Sequence, residues 1–550
     1  MAQEKTTWTS VGGNNDERIG GNAHVYTYTD ESGKTKRILV DLGGMFSDKE
    51  DSGYDRFLAN PSKYLDRVDE KGNLIKAEEP VDAVFLTHCH DDHIGAIPHL
   101  CAMGFKFPEI KASPFAAEMV DAIFFKQRVQ KNLKPTIKRI QPGDVTKVGD
   151  ISVEAVAVSH SAPGSFGFYI KTPDAKIFHS GDFKTDQSVP LGPKTDLKRI
   201  EEISKEGVDA FMFDATSVTT PGMTPPESDI KDEFKKITKE CEGLRMVVPL
   251  IARSVERFAS LYEAAADSGR AIVLQGGSLT TAYTALQNAG YDLGKITGKH
   301  AEVYDGRAPE VKKLDPRKTM VICTGTQAEE NAVLNMASLG IHRGLKFQGG
   351  QDIVVMAQSV IPVSKNQENV DAMFGRIRDM GITVIEPSHR KTDGSGRKTH
   401  ASGHGAEEDI KLMFKTLTAH APEGHKMTGI PVHGGMHHLR RGAEVAHECG
   451  SNSLIHPNAV TMEISGKEGI KVVNNEVSKE TWIGVLDKSE DFRNPKFDYH
   501  VVDGKFKKIS EIEYNKEKAF FCADAMSRGG SQKGKGKGGF DPRRGGRGGR

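Results

Sequence analysis

The sequence predicts an α/β protein of several domains, and three observations carry that expectation. Short apolar runs recur along the 550 residues, each followed by a polar or Gly-rich loop and then a helix-like segment. Most runs are continuous rather than alternating, as strands buried on both faces are. Several end in His, Asp or Ser, at the place where open α/β sheets put their functional groups. At roughly 100 to 200 residues per domain, the chain has room for two to four units.

In chain order the predicted strands lie in RILVDLGG (37–44), VDAVFLTHCH (81–90), KIFHSGDFKTD (176–186), VDAFMFDATS (208–217), RMVVPLIARS (245–254), AIVLQGGS (271–278), MVICTGTQ (320–327), IVVMAQS (353–359) and GIPVHGG (429–435). ISVEAVAVSH (151–160) alternates instead, which predicts a half-buried strand with His160 at its end. Val255, Phe258, Leu261, Tyr262 and Ala265 recur at helical spacing and stop near Gly269, so an amphipathic helix packs that stripe into a core. A second helix is expected to open at His93 and run through Ile94, Ala96, Ile97 and Leu100. Residues 466–526 are more charged, and KEGIKVV and DYHVVDGKFKKI read as short strands of a small appended domain.

Formal charge is zero, 75 basic against 75 acidic residues, but it is unevenly distributed. The last 24 residues contain eight Lys or Arg, one Asp and ten Gly. Such a segment buries too little apolar surface to fold, so 527–550 reads as a disordered basic tail of RGG type, suited to loose contact with phosphates and stacked bases. The six cysteines are scattered without a CxxC pair, which argues against a disulfide framework. No run of about 18 apolar residues occurs, and the N-terminus has no basic-then-apolar leader. The expectation is a soluble, cytoplasmic protein with no membrane partner.

The densest chemistry lies in FLTHCHDDHIGAIPHL, where His88, His90, Asp92 and His93 follow an apolar run. If the helix opens at His93, alternate residues of the preceding loop point the same way. His88 and His90 then grip one ion, while Asp92 and His93 face a neighbouring point. Imidazole and carboxylate without thiolate suit Zn or Mn. Cys89, between two ligand candidates, reads as a small filler, and His99 belongs to the helix. Four ligands cannot fill two metal spheres, and His160, Asp182 and His433, each at a strand end, are the candidates for the rest.

The order Asp41, HCHDDH, His160, Asp182 and a late His resembles the metallo-β-lactamase superfamily, whose fold is a four-layer αββα sandwich binding two metals. About 250 residues separate Asp182 from His433, and they carry a second set of matches. DATS at Asp214, HASGHGAEE at His404 and PVHGG at His433 resemble motifs A, B and C of the β-CASP nucleases. Within that subgroup GDFKTD, FDATSVTTPGMTPPES, TGTQAEENAVL, HASGH and PVHGG are similar to signature segments of the ribonuclease J family, over about residues 12–460.

That resemblance implies a metallo-β-lactamase domain in two parts, 1–217 and 379–465, a β-CASP domain inserted at 218–378, and the small C-terminal domain at 466–526. It implies two divalent ions per chain, Zn first with Mn or Mg as alternatives. His88, His90 and His160 would hold one; Asp92, His93 and His433 the other; Asp182 would bridge them. Asp41 would orient ligands from behind, Asp214 would support the ligand loops, and Asp92, Asp182 and His404 would carry the catalytic roles. Ser402, Gly403, His404, Ser278 and Arg257 are the candidates for holding a substrate phosphate. His437 and His438 read as surface residues.

The chain departs from the family around the substrate, reading HSAPG for HSIPD, DATS for DSTN, RSVER for SNxHR, GGSL for GRSM and HGG for HGE. All seven proposed ligands are kept. The implied activity is metal-dependent hydrolysis of single-stranded RNA, 5′-to-3′ from a 5′-monophosphate and internal as well, with a homodimer or homotetramer as the candidate assembly. A β-CASP nuclease acting on DNA and an inactive RNA-binding scaffold are the competing readings.

Overall fold

The computed structural model describes residues 4–15, 19–46, 55–361, 365–391, 394–474, 481–488 and 496–503. Two large sheets lie face to face. The first has eight strands in the order Ile137–Arg139, Ile110–Ala112, Ala83–Phe85, Thr35–Val40, Ala23–Thr29, Lys5–Gly12, Thr461–Ser465 and Gly469–Asn474. The second has seven, in the order Val145–Val148, Ile151–Val158, Ser165–Lys171, Lys176–His179, Ala210–Asp214, Thr428–Val432 and Asn452–Ser453. Trp8, Tyr26, Ile38 and Phe85 from the first meet Ile151, Phe168, Ile177 and Met212 from the second in one apolar layer.

The alternation in Ile151–Val158 is realised along its length. Ile151, Val153 and Ala155 face the layer between the sheets, whereas Ser152 and Glu154 face partly outward. Val156 and Val158 then enter a second apolar layer, under the outer helices. That strand is half-buried where it starts and wholly buried where it delivers His160. Helices Leu197–Ser204, Glu407–Thr418 and Met436–Glu448 cover the outer face of the second sheet, and Ala96–Ala102 and Pro114–Lys126 cover the first, completing the four-layer αββα arrangement.

The insert is a six-stranded parallel sheet in the order Val303–Asp305, Ala271–Gln275, Thr319–Cys323, Arg245–Pro249, Asp352–Val355 and Thr383–Ile385. The amphipathic helix read from sequence runs Val255–Asp267 and buries Phe258 and Leu261 against the helix Glu227–Glu240 and the sheet. Each such side chain contributes roughly 1.5–3 kcal/mol when fully buried. Val333–Ser338 and Asn366–Asp379 pack on the other face. The apolar cluster that begins under the first sheet continues into the insert, and helix Pro114–Lys126 lies against Gly277–Asn288. The two domains therefore share a core rather than meeting through a linker.

Three expectations are corrected. The first helix opens at Asp91, with His90 as its N-cap, so Asp92 and His93 sit on its first turn rather than on either side of its start. Two acidic residues favour that N-terminus through the helix dipole. The insert extends past residue 378, because Thr383–Ile385 is the edge strand of its sheet. The described strands after 466 join sheets built by earlier residues instead of standing apart. Gly469–Asn474 extends the first sheet, and Thr481–Asp487 pairs with Arg56–Ala59 while Phe497–Asp503 pairs with Thr481–Asp487. The basic tail 527–550 lies outside the described residues. Among the described residues no helix is long and apolar enough to cross a membrane.

Candidate metal centre

The strands of both sheets end at one edge, and their terminal loops bring the predicted ligands together. His88 and His90 follow Ala83–Phe85; His160 follows Ile151–Val158; Asp182 follows Lys176–His179; His433 directly follows Thr428–Val432. Atoms that could hold a metal converge in three groups, His88, His90, His160 and Asp182; Asp92, His93, Asp182 and His433; and Asp182, Asp214 and His404. Asp182 belongs to all three. Its Oδ2 lies 3.2 Å from His93 Nε2 and from His433 Nε2, 3.6 Å from His88 Nε2 and 3.8 Å from His160 Nε2.

Several of the candidate ligand atoms are buried without a partner. His88 Nε2, both carboxylate oxygens of Asp182 and both ring nitrogens of His433 are shut off from solvent with no hydrogen-bond partner. Leaving such groups unpaired costs about 1–3 kcal/mol each. A set of orphaned nitrogens and oxygens converging on two points is what a pair of divalent cations satisfies. Burial alone would raise the Asp182 carboxyl, but His433, His93 and His404 outweigh it and hold it well below the carboxylate range. Burial opposes a charge on His433, yet Asp182 and Asp92 push its imidazole up to about 10. The carboxylates thus demand positive charge at this point. Burial keeps His88, His90 and His160 below the ordinary imidazole value, ready as neutral ligands.

Tautomers are set from behind. His93 Nδ1 donates to Asp41 Oδ2 at 2.7 Å, and His160 Nδ1 donates to the Gly403 carbonyl at 2.7 Å, so both rings present Nε2 to the centre. Any Cβ on Gly403 would lie 2.8 Å from His160 Cε1, so this close approach requires glycine. Asp41 and His433 both adopt left-handed backbone conformations, φ 62° and 59°, a strained geometry tolerated where the surroundings over-determine it.

His404 forms a further pair. Its Nδ1 donates to Asp214 Oδ2 at 2.7 Å and lies 3.8 Å from Asp182 Oδ2. Its backbone N–H donates to Ser402 Oγ at 3.0 Å. The wholly buried residues form the floor of the centre, while His90, Asp92 and His404 stay partly open on one side of it.

Other candidates stand outside this centre. Arg257 is 2 % exposed, and its guanidinium donates to both Glu227 oxygens, at 2.6 and 3.0 Å, and to the carbonyls of Ala357 and Thr399. Every nitrogen is engaged, so it pins the insert instead of holding a phosphate. Ser278 is exposed on the first turn of Gly277–Asn288 in the insert. Cys89 is buried with its thiol pushed up to about 12 by desolvation, in keeping with a filler. His99 turns away to Tyr499 and Gln127. His437 is exposed, but His438 is half-buried against it, with ring centroids 3.7 Å apart.

Several supporting residues escape sequence reasoning. Thr87 donates its backbone N–H and its hydroxyl to Asp41, at 2.8 and 2.7 Å. The Asn22 backbone N–H and side-chain amide both donate to the Asp92 carbonyl. Thr216 Oγ1 donates to the His433 carbonyl at 2.8 Å, and Ser161 Oγ lies 3.2 Å from His90 Nε2. The available signal was a short polar side chain beside a ligand at a strand end, as in LTHCH and VSHS.

Comparison with known proteins agrees with this layout. A family model described as the beta-lactamase superfamily domain matches residues 55–242, and one described as ribonuclease J, beta-CASP domain, matches 243–377. The chain is 30 % identical over 455 residues to a ribonuclease J of Sinorhizobium meliloti, covering 82 % of this chain and 73 % of that protein. It is 29 % identical to ribonuclease J of Corynebacterium glutamicum, covering 79 % of this chain but only 54 %, about half, of the relative. With ribonuclease J of Mycolicibacterium smegmatis it shares 28 % identity over 84 % of this chain and 75 % of the relative. A crystal structure of a protein of unknown function from Enterococcus faecalis superposes with a TM-score of 0.57 at 18 % identity, over 84 % of this chain and all of that one, a likeness of fold.

Proposed function

Because the chain belongs to the ribonuclease J family, a β-lactamase-superfamily domain joined to a β-CASP domain, we propose that it is a metal-dependent ribonuclease that removes nucleotides from the 5′ end of monophosphorylated RNA and also cuts internally. One observation carries the chemistry: Asp182 is shared by the two histidine-rich ligand groups and by the Asp214–His404 pair. His88, His90 and His160 would hold one ion and Asp92, His93 and His433 the other, with Asp182 available to both; Zn or Mn suits this nitrogen and oxygen donor set. When bound, two such ions activate water and neutralise charge at phosphorus.

The chain's own groups do the rest. Asp41 and Gly403 fix the ligand tautomers, so the centre is organised before substrate arrives. Asp214 holds Nδ1 of His404, which leaves Nε2 to donate to a phosphate oxygen as negative charge develops. Ser402 and the Gly403 backbone flank His404 and complete a cradle for the phosphate. Water attacks phosphorus, the 3′-oxygen of the preceding nucleotide leaves with a proton, and the product carries a 5′-phosphate.

The experiment is degradation of one sequence as 5′-monophosphate RNA, 5′-triphosphate RNA and 5′-monophosphate DNA with Mn or Zn, beside the His90→Ala chain. Stepwise loss of the monophosphate RNA alone is expected. Equal cleavage of the DNA would move the reading to a DNA nuclease, and no metal-dependent cleavage at all would leave an RNA-binding scaffold.

A further inference from the structure

His90 enters its ligand group by a different atom from its neighbours. His93 and His160 turn Nε2 to the centre because their Nδ1 atoms are engaged behind them. In His90 the order is reversed. Its Nδ1 lies 3.1 Å from His160 Nε2, and its Nε2 points away, to Ser161 Oγ at 3.2 Å. Ring packing does not impose this choice. His90 stands edge-on to His88 and to His160, with centroids 4.6 and 4.7 Å away. Turning the ring over exchanges Nδ1 and Nε2 with the two ring carbons and leaves those contacts almost the same in shape. A hydrogen bond has to select the edge, and among the described residues Ser161 is the partner of His90 Nε2.

Ser161 is itself fixed from the insert. The helix Val255–Asp267 opens without a side-chain cap, so its first N–H groups need acceptors from outside. The Glu256 N–H finds one in the Ser161 carbonyl, at 3.2 Å. On another side Ser161 lies against Gly403, where a Cβ would come within 3.1 Å of the Cβ of the serine. The hydroxyl beside His90 is thus placed by two segments far from it in sequence, one of them the first turn of a helix of the insert.

We propose that Ser161 is the positioning residue of His90. Its Oγ accepts the Nε2–H, which leaves Nδ1 bare and turned to His88, His160 and Asp182. The Glu256 N–H holds the serine in place, so the insert helps to shape one of the two ion sites, whereas Asp41 supports the other from within the first domain. This rests on the metal-dependent reading of the centre.

The test is titration of the metal-free full chain with cobalt, read by the visible absorption of the bound ion, followed by withdrawal of the metal with a chromophoric chelator. The wild type should bind two ions. In Ser161→Ala one ion should bind about tenfold more weakly and with an altered spectrum, while the second keeps its affinity. Ser161 is partly exposed, so truncating it leaves the core intact, and the thermal midpoint of the metal-free chain should be retained. Ser268→Ala, at the far end of the same insert helix, should match the wild type for both ions. Wild-type affinity and spectrum in Ser161→Ala overturn the proposal. Equal weakening of both ions overturns it too, because that would mean a general loosening of the centre. If the wild type binds no metal at all, the reading of the centre itself falls.

Discussion

Asp41 Oδ2 accepts the Nδ1–H of His93 across 2.7 Å, and it does so from a backbone held at φ 62°. The same carboxylate takes two further hydrogen bonds from Thr87, so its position is over-determined. This is a built support for a ligand, and strain is kept only where such support exists. Asp41→Asn can still accept one bond but loses the charge that holds His93 in its tautomer. Metal affinity should fall about 10- to 100-fold, measured by competition with a chromophoric chelator. Wild-type affinity would mean that packing alone orients His93.

The two histidine-rich ligand groups predict a sharp contrast between neighbouring histidines. His90→Ala or Asp182→Ala should abolish turnover and reduce bound metal, with Asp182→Ala affecting both ions because it belongs to both groups. His99→Ala should keep a full metal complement by elemental analysis, since its ring lies against Tyr499 and Gln127. Its cost is stability, a few kcal/mol for emptying a 1 % exposed site. Metal loss in the His99 variant would mean that the ligands are misassigned.

The legible part of this protein was its strand ends. Each predicted apolar run contains a strand of the structure, and His88, His160, Asp182 and His433 all follow such strands because a buried strand leaves its functional groups only at its end. Helix onset was less legible: Asp92 read as metal chemistry and concealed its second role, beside Asp91, as a first-turn acid. Arg257 misled for a related reason. An arginine in a substrate-facing motif suggests phosphate, and nothing local reveals that Glu227, thirty residues earlier, meets it in the core. The support Asn22 was invisible because its partner Asp92 lies seventy residues away on another element.

Arg257 carries a test of that correction. Truncation to Ala leaves Glu227 buried, 3 % exposed, and facing a cavity, although Ser260 still donates to it. Breaking a buried pair by removing one partner costs about 3–5 kcal/mol. The thermal midpoint of Arg257→Ala should drop by several degrees, with the RNA affinity of the folded chain retained. A normal midpoint with weakened RNA binding would return Arg257 to the substrate.

Glu256, at the place of the family's histidine in the same segment, predicts a pH dependence of stability. Its carboxylate is buried and accepts the N–H groups of Leu191 and Gly192 at 2.8 and 3.0 Å, which ties the insert's helix to a loop of the first domain. Burial raises its pKa to about 8, with the two backbone bonds opposing. An acid with a folded value above its unfolded one, about 4.3, binds more protons folded than unfolded between those two values. Its contribution to stability is then full below the unfolded value, declines as pH rises, and is gone above about 8. Glu256→Gln removes the titration and weakens one backbone bond, so it should be less stable than wild type at pH 5. By pH 9 that deficit should shrink or reverse, because only the wild type has had to bury a carboxylate charge. Melting both chains at the two pH values reads the difference directly, and a gap that does not change with pH would show that Glu256 is ionised in the fold throughout.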